Sequence, residues 1–273
     1  MFDVLQDDSN DAITSLHDAA LQLTDTDLQK WFPDFECTLK TRSKRVKDVV
    51  LRRNLYTVKC MNTNSIEYHL KKATGASLMC DRIPFCETVF LIHVNAGLCI
   101  DVVKKGVGLP ELRSALPILF QRIEFMVTLV RDVCRCIQYL HIEDLHHIDL
   151  QPEHFVFGSD LRVQLTGLGN VSPLNVPKRP REGPESVYDA PEVKQGASEI
   201  NAKAADVFSV GTILLEYLFG NVRPEIQNHS LVGPTETVKT VLLNMVHENP
   251  NKRPTASQVI YNPTLKLRKR PTQ

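Results

Sequence analysis

The sequence predicts an α+β chain in two lobes, a small β-rich lobe with one helix followed by a larger α-helical lobe. Between residues 35 and 103, short runs rich in apolar and β-branched residues follow one another: "FECTLK", "VKDVVL", "LYTVKCM", "ETVFLIHV" and "LCIDVV". Beyond about residue 110, apolar residues recur at helical spacing instead. The two lobes join near residues 101–107, and 273 residues suffice for two lobes sharing an interface.

Residues 1–34 read as an acidic, helical extension. They hold eight Asp and a single strong base, Lys30, and Ile13, Leu16, Ala20 and Leu23 share one helical face after the capping residues of "DDSND". Residues 35–105 form the small lobe, whose one helix is "SIEYHLKKA", with Ser65 placed to cap it. Residues 106–262 form the large lobe. There "FQRIEFMVTLVRDVCRCIQYLH" carries apolar residues at 123, 126, 127, 130, 133, 137 and 140, a helix buried on one face. "HFVFGSDLRVQLTG" predicts a hairpin turning at Gly158–Asp160. "AADVFSVGTILLEYLFG" is apolar on nearly every side and belongs at the centre of its lobe; "TETVKTVLLNMVHENP" and "TASQVIY" supply two further helices. Residues 263–273 are a basic tail.

Bulk properties exclude several classes. Lys and Arg number 32 and Asp and Glu 32, so net charge gives no basis for nucleic-acid or membrane-surface binding. The seven cysteines are scattered without CxxC spacing, which reads as reduced intracellular thiols rather than a disulfide framework or zinc site. No signal-peptide pattern and no membrane-length apolar run is visible, so the expected location is the cytoplasm or the nucleus. Five histidines (93, 141, 146, 147 and 154) match no metal-ligand spacing.

The motifs within this frame, in their order and spacing, resemble the eukaryotic protein kinase family from about residue 35 to 262. "HHIDLQPEHFVF" (146–157) is similar to the family's catalytic loop, H-R-D-L-x-x-x-N. On that register His147 stands at the motif His, Ile148 at the Arg, Asp149 at the catalytic Asp and His154 at the metal-binding Asn. "GLG" (167–169) falls at the Asp-Phe-Gly position, "YDAPE" (188–192) at Ala-Pro-Glu, "DVFSVG" (206–211) at the start of the central helix, and "NPNKRPTASQVI" (249–260) at the closing motif with Arg253. "YTVKC" resembles the strand bearing the phosphate-reading lysine, which makes Lys59 that residue and Glu67 its candidate partner on the small-lobe helix.

The resemblance implies a degenerate site, a pseudokinase. Both magnesium ligands of the family are replaced, since Gly167 has no side chain and His154 offers an imidazole to a cation that prefers oxygen. Gln151 stands where a catalytic-loop lysine is common, and residues 35–58 contain no glycine to form a phosphate-covering loop. Asp149 then reads more readily as a loop-ordering carboxylate than as a general base. The retained residues, His147, Leu168, Glu192, Asp206 and Arg253, belong to the family's skeleton. Ile148 cannot read a phosphate as an Arg would. The expectation is therefore a chain that is not an enzyme and has no cofactor or metal. It would act as a scaffold or allosteric regulator in signalling, through a protein partner such as an active kinase or signalling complex. The alternative is an atypical nucleotide-binding protein that takes ATP without magnesium through Lys59, with weak or unconventional transfer through Asp149.

Overall fold

The computed structural model describes residues 35–43, 46–51, 54–62, 64, 88–95, 98–104, 106–158, 161–174, 185–196, 200–220 and 234–265. The expected N-terminal extension, the small-lobe helix with Glu67 and the tail after residue 265 lie outside them. The described residues divide into two compact units, one up to Lys104 and the other from Gly106.

The first unit is an antiparallel sheet of β1 (Phe35–Ser43), β2 (Val46–Leu51), β3 (Asn54–Asn62), β4 (Thr88–Asn95) and β5 (Leu98–Lys104), in the order β1-β2-β3-β5-β4. Short connections after Ser43, Leu51 and Asn95 make three hairpins, as the closely spaced apolar runs require. The chain between β3 and β4 is longer, and β5 takes the place beside β3. Lys59 lies on β3 opposite Val46 on one side and Asp101 on the other. Cys60 and Met61 at the end of β3 are buried.

The second unit opens with β6 (Val107–Gly108) and α1 (Leu109–Ala115), and then the long α2 (Ile123–Ile142). Burial on α2 is wider than the single stripe read from the sequence, because Leu129, Asp132, Cys134 and Cys136 are buried as well. The N-cap, Arg122, makes no side-chain bond, so packing holds this helix. Each fully buried Leu or Ile contributes about 1.5–3 kcal/mol, more than a cap supplies. Asp132 is tolerated because Arg162 donates to it at 2.6 Å, tying α2 to the hairpin of β8 (Phe155–Phe157) and β9 (Val163–Leu165). The hairpin turn reaches one residue further than predicted: Leu161 closes it with φ of 60° and donates its N–H to the Gly158 carbonyl.

The chain continues through β7 (Leu145–His146), which pairs with β10 (Ser172–Pro173), to α3 (Pro191–Lys194) and α4 (Ala202–Phe219). Twelve of the eighteen residues of α4 are buried, which is why its sequence is apolar all round. Asn201 caps its start by accepting from the Ala204 N–H. Against it packs α5 (Pro234–Met245), while α6 (Ala256–Ile260) packs against α2. Gly211 permits the approach of α4 to α5, since a Cβ there would stand 2.8 Å from both Met245 Cβ and Val246 Cγ1.

Candidate functional site

The segment from Leu145 to His154 is held from below by one carboxylate. Asp206, in the first turns of α4, has no exposed surface and accepts from the His147 N–H at 2.9 Å and the Ile148 N–H at 2.7 Å. His141 on α2 completes its partners at 3.1 Å through Nε2. This clamp explains an otherwise costly backbone: Ile148 is β-branched yet has φ of 47°, a strain on the order of 1–3 kcal/mol that the surrounding bonds must hold. Ile148 is buried, so its side chain adds apolar packing where the family's Arg would carry charge.

Leucines anchor both sides of the loop, Leu150 at 1% exposure and Leu168 at 1%. His147 is 2% exposed, and its Nε2 donates to the Gly167 carbonyl at 3.1 Å. That fixes the tautomer and joins the loop to the segment carrying Gly167. Burial pulls the His147 imidazole below its usual range, against the opposite pull of Asp206, Asp149 and the Gly167 carbonyl. For Asp206, burial alone would raise the carboxyl. The hydrogen bond and charge of His141, with the charge and N–H of His147, outweigh it and hold it below the usual carboxylate range.

Both shifts make the fold sensitive to acid. A neutral buried His147 stabilises fully above the unfolded histidine value of about 6.5, and that contribution is lost as pH falls from there through the lowered folded value. Asp206 follows at lower pH: its contribution is complete above about 3.9 and is lost as pH falls through its depressed folded value. We expect the melting temperature to fall from pH 7.5 to 5, and His147→Asn to flatten that fall. Equal slopes in both proteins would contradict the assignment.

The structure brings Asp149, Gln151, His154 and Gly167 into one neighbourhood. Asp149 is half-buried and accepts from Asn170 Nδ2 at 2.7 Å on Oδ2 and from Gln151 Nε2 at 3.4 Å on Oδ1. Gln151 also donates to Ser186 Oγ at 3.0 Å. His154 turns its Nδ1 back to accept the Gln151 N–H at 3.2 Å, and its carbonyl takes the Thr166 N–H at 2.7 Å. The other edge of the ring lies against Gly167, whose φ is 74°: a Cβ on Gly167 would be 2.6 Å from His154 Cδ2 and 2.8 Å from Nε2. The imidazole thus fills the space that a side chain at 167 would need. The His147 and His154 rings tilt against each other at 5.1 Å between centroids.

The two magnesium ligands implied by the resemblance do not fit these residues. Position 167 offers no donor atom, and at 154 one ring nitrogen is engaged while the other abuts Gly167. Among the described residues, no group of three or more His, Cys, Asp or Glu is placed to hold a metal. Lys59 belongs to the other unit, and its side chain, like Glu67, lies outside the described residues.

The skeletal residues are found in contact. Arg253 donates to both oxygens of Glu192, at 2.6 and 2.9 Å. Tyr188, just before the "APE" stretch, donates to Glu216 of α4 at 2.6 Å; burial and then Glu216 push its phenol well above the usual range. Sequence reasoning missed Asn170, Ser186 and Glu216. The Gly-Leu-Gly, Ala-Pro-Glu and central-helix motifs marked their segments but not their contacts.

A model of the protein kinase domain family matches residues 51–265. Among curated relatives, a membrane-associated tyrosine- and threonine-specific cdc2-inhibitory kinase, wee-1.3 of Caenorhabditis elegans, is 29% identical over 150 residues, covering 50% of this chain and 22% of its own length. A kinase of the same description in Drosophila melanogaster is 29% identical over 149 residues, covering 49% of this chain and 27% of its own. Calcium-dependent protein kinase 19 of Arabidopsis thaliana is 28% identical over 162 residues, covering 50% and 28%. The chain thus matches under a third of each relative's length. No described helix is long and apolar enough to cross a membrane. These matches correct the expectation that the chain is not an enzyme, because its relatives are named as kinases. The physical reason lies in the inference itself: losing metal ligands lowers a rate, but it removes neither the base carboxylate nor the fold that holds it.

Proposed function

Since the chain belongs to the protein kinase domain family, we propose that it is a signalling regulator that binds a protein partner through its kinase fold. In this reading it retains slow phosphoryl transfer through Asp149. The supporting observation is the contrast within one loop. Asp149 is held by two side-chain donors, while His154 and Gly167 form a packed pair without an oxygen ligand. Asp149 would accept the proton of a substrate hydroxyl, and Gln151 offers an amide where a cation would neutralise developing charge. A rate well below that of a kinase with both ligands follows.

Transfer from radiolabelled ATP to a degenerate Ser/Thr/Tyr peptide library tests the catalytic half. We expect turnover that falls about a hundredfold in Asp149→Asn; equal rates in the two proteins would overturn it. The regulatory half predicts that Asp149→Asn protein, with its own transfer removed, still changes the rate of an active protein kinase added in trans. No change against a panel of such kinases would count against it.

A further inference from the structure

We propose that Asn170 is the positioning residue for Asp149, doing with a neutral amide what this loop no longer does with ions. The inference rests on the transfer reading above. Asn170 makes a short bond to the carboxylate, 2.7 Å to Oδ2, against 3.4 Å from Gln151 to Oδ1. Gln151 is also committed elsewhere, since its amide exchanges bonds with Ser186 at 3.0 and 3.4 Å.

The place of Asn170 is built by the backbone. Gly167, in the left-handed region, starts the turn Leu168–Asn170, and its carbonyl receives both the Asn170 N–H at 3.3 Å and the His147 Nε2–H at 3.1 Å. Leu168, buried at 1% exposure, pins the same turn from inside. His147 neighbours Asp149 in the loop, so one carbonyl registers the donor and the acceptor against each other. An amide at this point orients the carboxylate without neutralising it, which keeps Asp149 able to accept a proton. A carboxylate at 170 would instead set two like charges at hydrogen-bond distance and favour the protonated form.

The test compares wild type, Asn170→Ala and Asn170→Asp in the peptide-library assay, each also in an Asp149→Asn background, with melting temperatures alongside. Asn170→Ala is expected to lower kcat about tenfold with KM for ATP unchanged. Asn170→Asp is expected to move the acid limb of the pH–rate profile up by about one pH unit. Asn170 is exposed, so neither should shift the melting temperature by more than about 2 °C. Neither should act further once Asp149 is replaced. A wild-type profile and kcat in both variants, or an undiminished effect in the Asp149→Asn background, overturns the proposal. Should wild type and Asp149→Asn not differ in transfer, the catalytic reading fails on its own. The positioning is then decided by the Asp149 carboxyl ¹³C resonance: displacement in Asn170→Ala supports it, and an unchanged signal overturns it.

Discussion

Glu192→Ala should destabilise the second unit by about 3 kcal/mol, read as a lower urea midpoint with an unchanged slope. The Arg253 side chain is wholly buried, and every N–H of its guanidinium is spoken for. Nε donates to the His247 carbonyl at 2.7 Å, Nη1 to Glu192 and the Ala204 carbonyl, and Nη2 to Glu192 and the Glu248 carbonyl. The guanidinium also lies 4.8 Å from the centroid of the Phe208 ring. It therefore joins α3, α4 and the chain between α5 and α6 at one point. Removing Glu192 leaves the cation in place with no counter-charge and two donors unpaired, and this penalty sets the size of the loss. Arg253→Lys keeps the charge but not the planar fork, so it should also destabilise, and mutation to Lys should not be neutral. A loss under about 1 kcal/mol for Glu192→Ala would show that the pair is solvated like a surface bridge.

Gly167→Asp alone should cost about 1–3 kcal/mol of stability, and His154→Asn should restore most of it. The new Cβ would meet the imidazole at 2.6 Å, so the ring has to leave its place and give up the Gln151 N–H. Asparagine at 154 is smaller than the ring, and its side-chain oxygen can still accept that N–H. The positive φ at 167 is tolerated by Asp better than by most residues. A double-mutant cycle should give a coupling of about 1 kcal/mol or more, whereas additive effects would mean that the two positions are independent. The same double variant places an oxygen ligand at each position, and the transfer rate should rise by about 10²–10³-fold.

The sequence made the skeleton of the second unit legible. Apolar spacing marked α2 and the all-round apolar run marked α4, because burial acts on every residue of a helix and leaves a periodic trace. Asp206, Glu192 and Arg253 were marked by their place in motifs; in the structure Asp206 accepts from the loop backbone and Glu192 pairs with Arg253. The contacts of the site were not legible in the same way. Asn170 is an ordinary polar residue in its own segment; its role arises only when the turn at Gly167 carries it across 21 positions to Asp149. His154 looked like a poor ligand, and only the geometry reveals it as the filling of the Gly167 space. Ile148 at a positive φ runs against β-branched preference, so no propensity argument reaches it; the Asp206 clamp imposes it. Pattern reads local periodicity, while a loop site is made by contacts far apart in the chain.

That distinction also explains the corrected expectation about activity. Substitution at two ligands was legible, but the bonds from Asn170 and Gln151 to Asp149 were not. In the proposed reading the packed pair at 154 and 167 limits transfer while Asp149 stays competent. Its most direct test is transfer by wild type beside the His154→Asn/Gly167→Asp variant, at saturating ATP with magnesium. The expected result is slow, Asp149-dependent transfer by wild type and a rate about 10²–10³-fold higher in the double variant. A folded double variant no faster than wild type would contradict it.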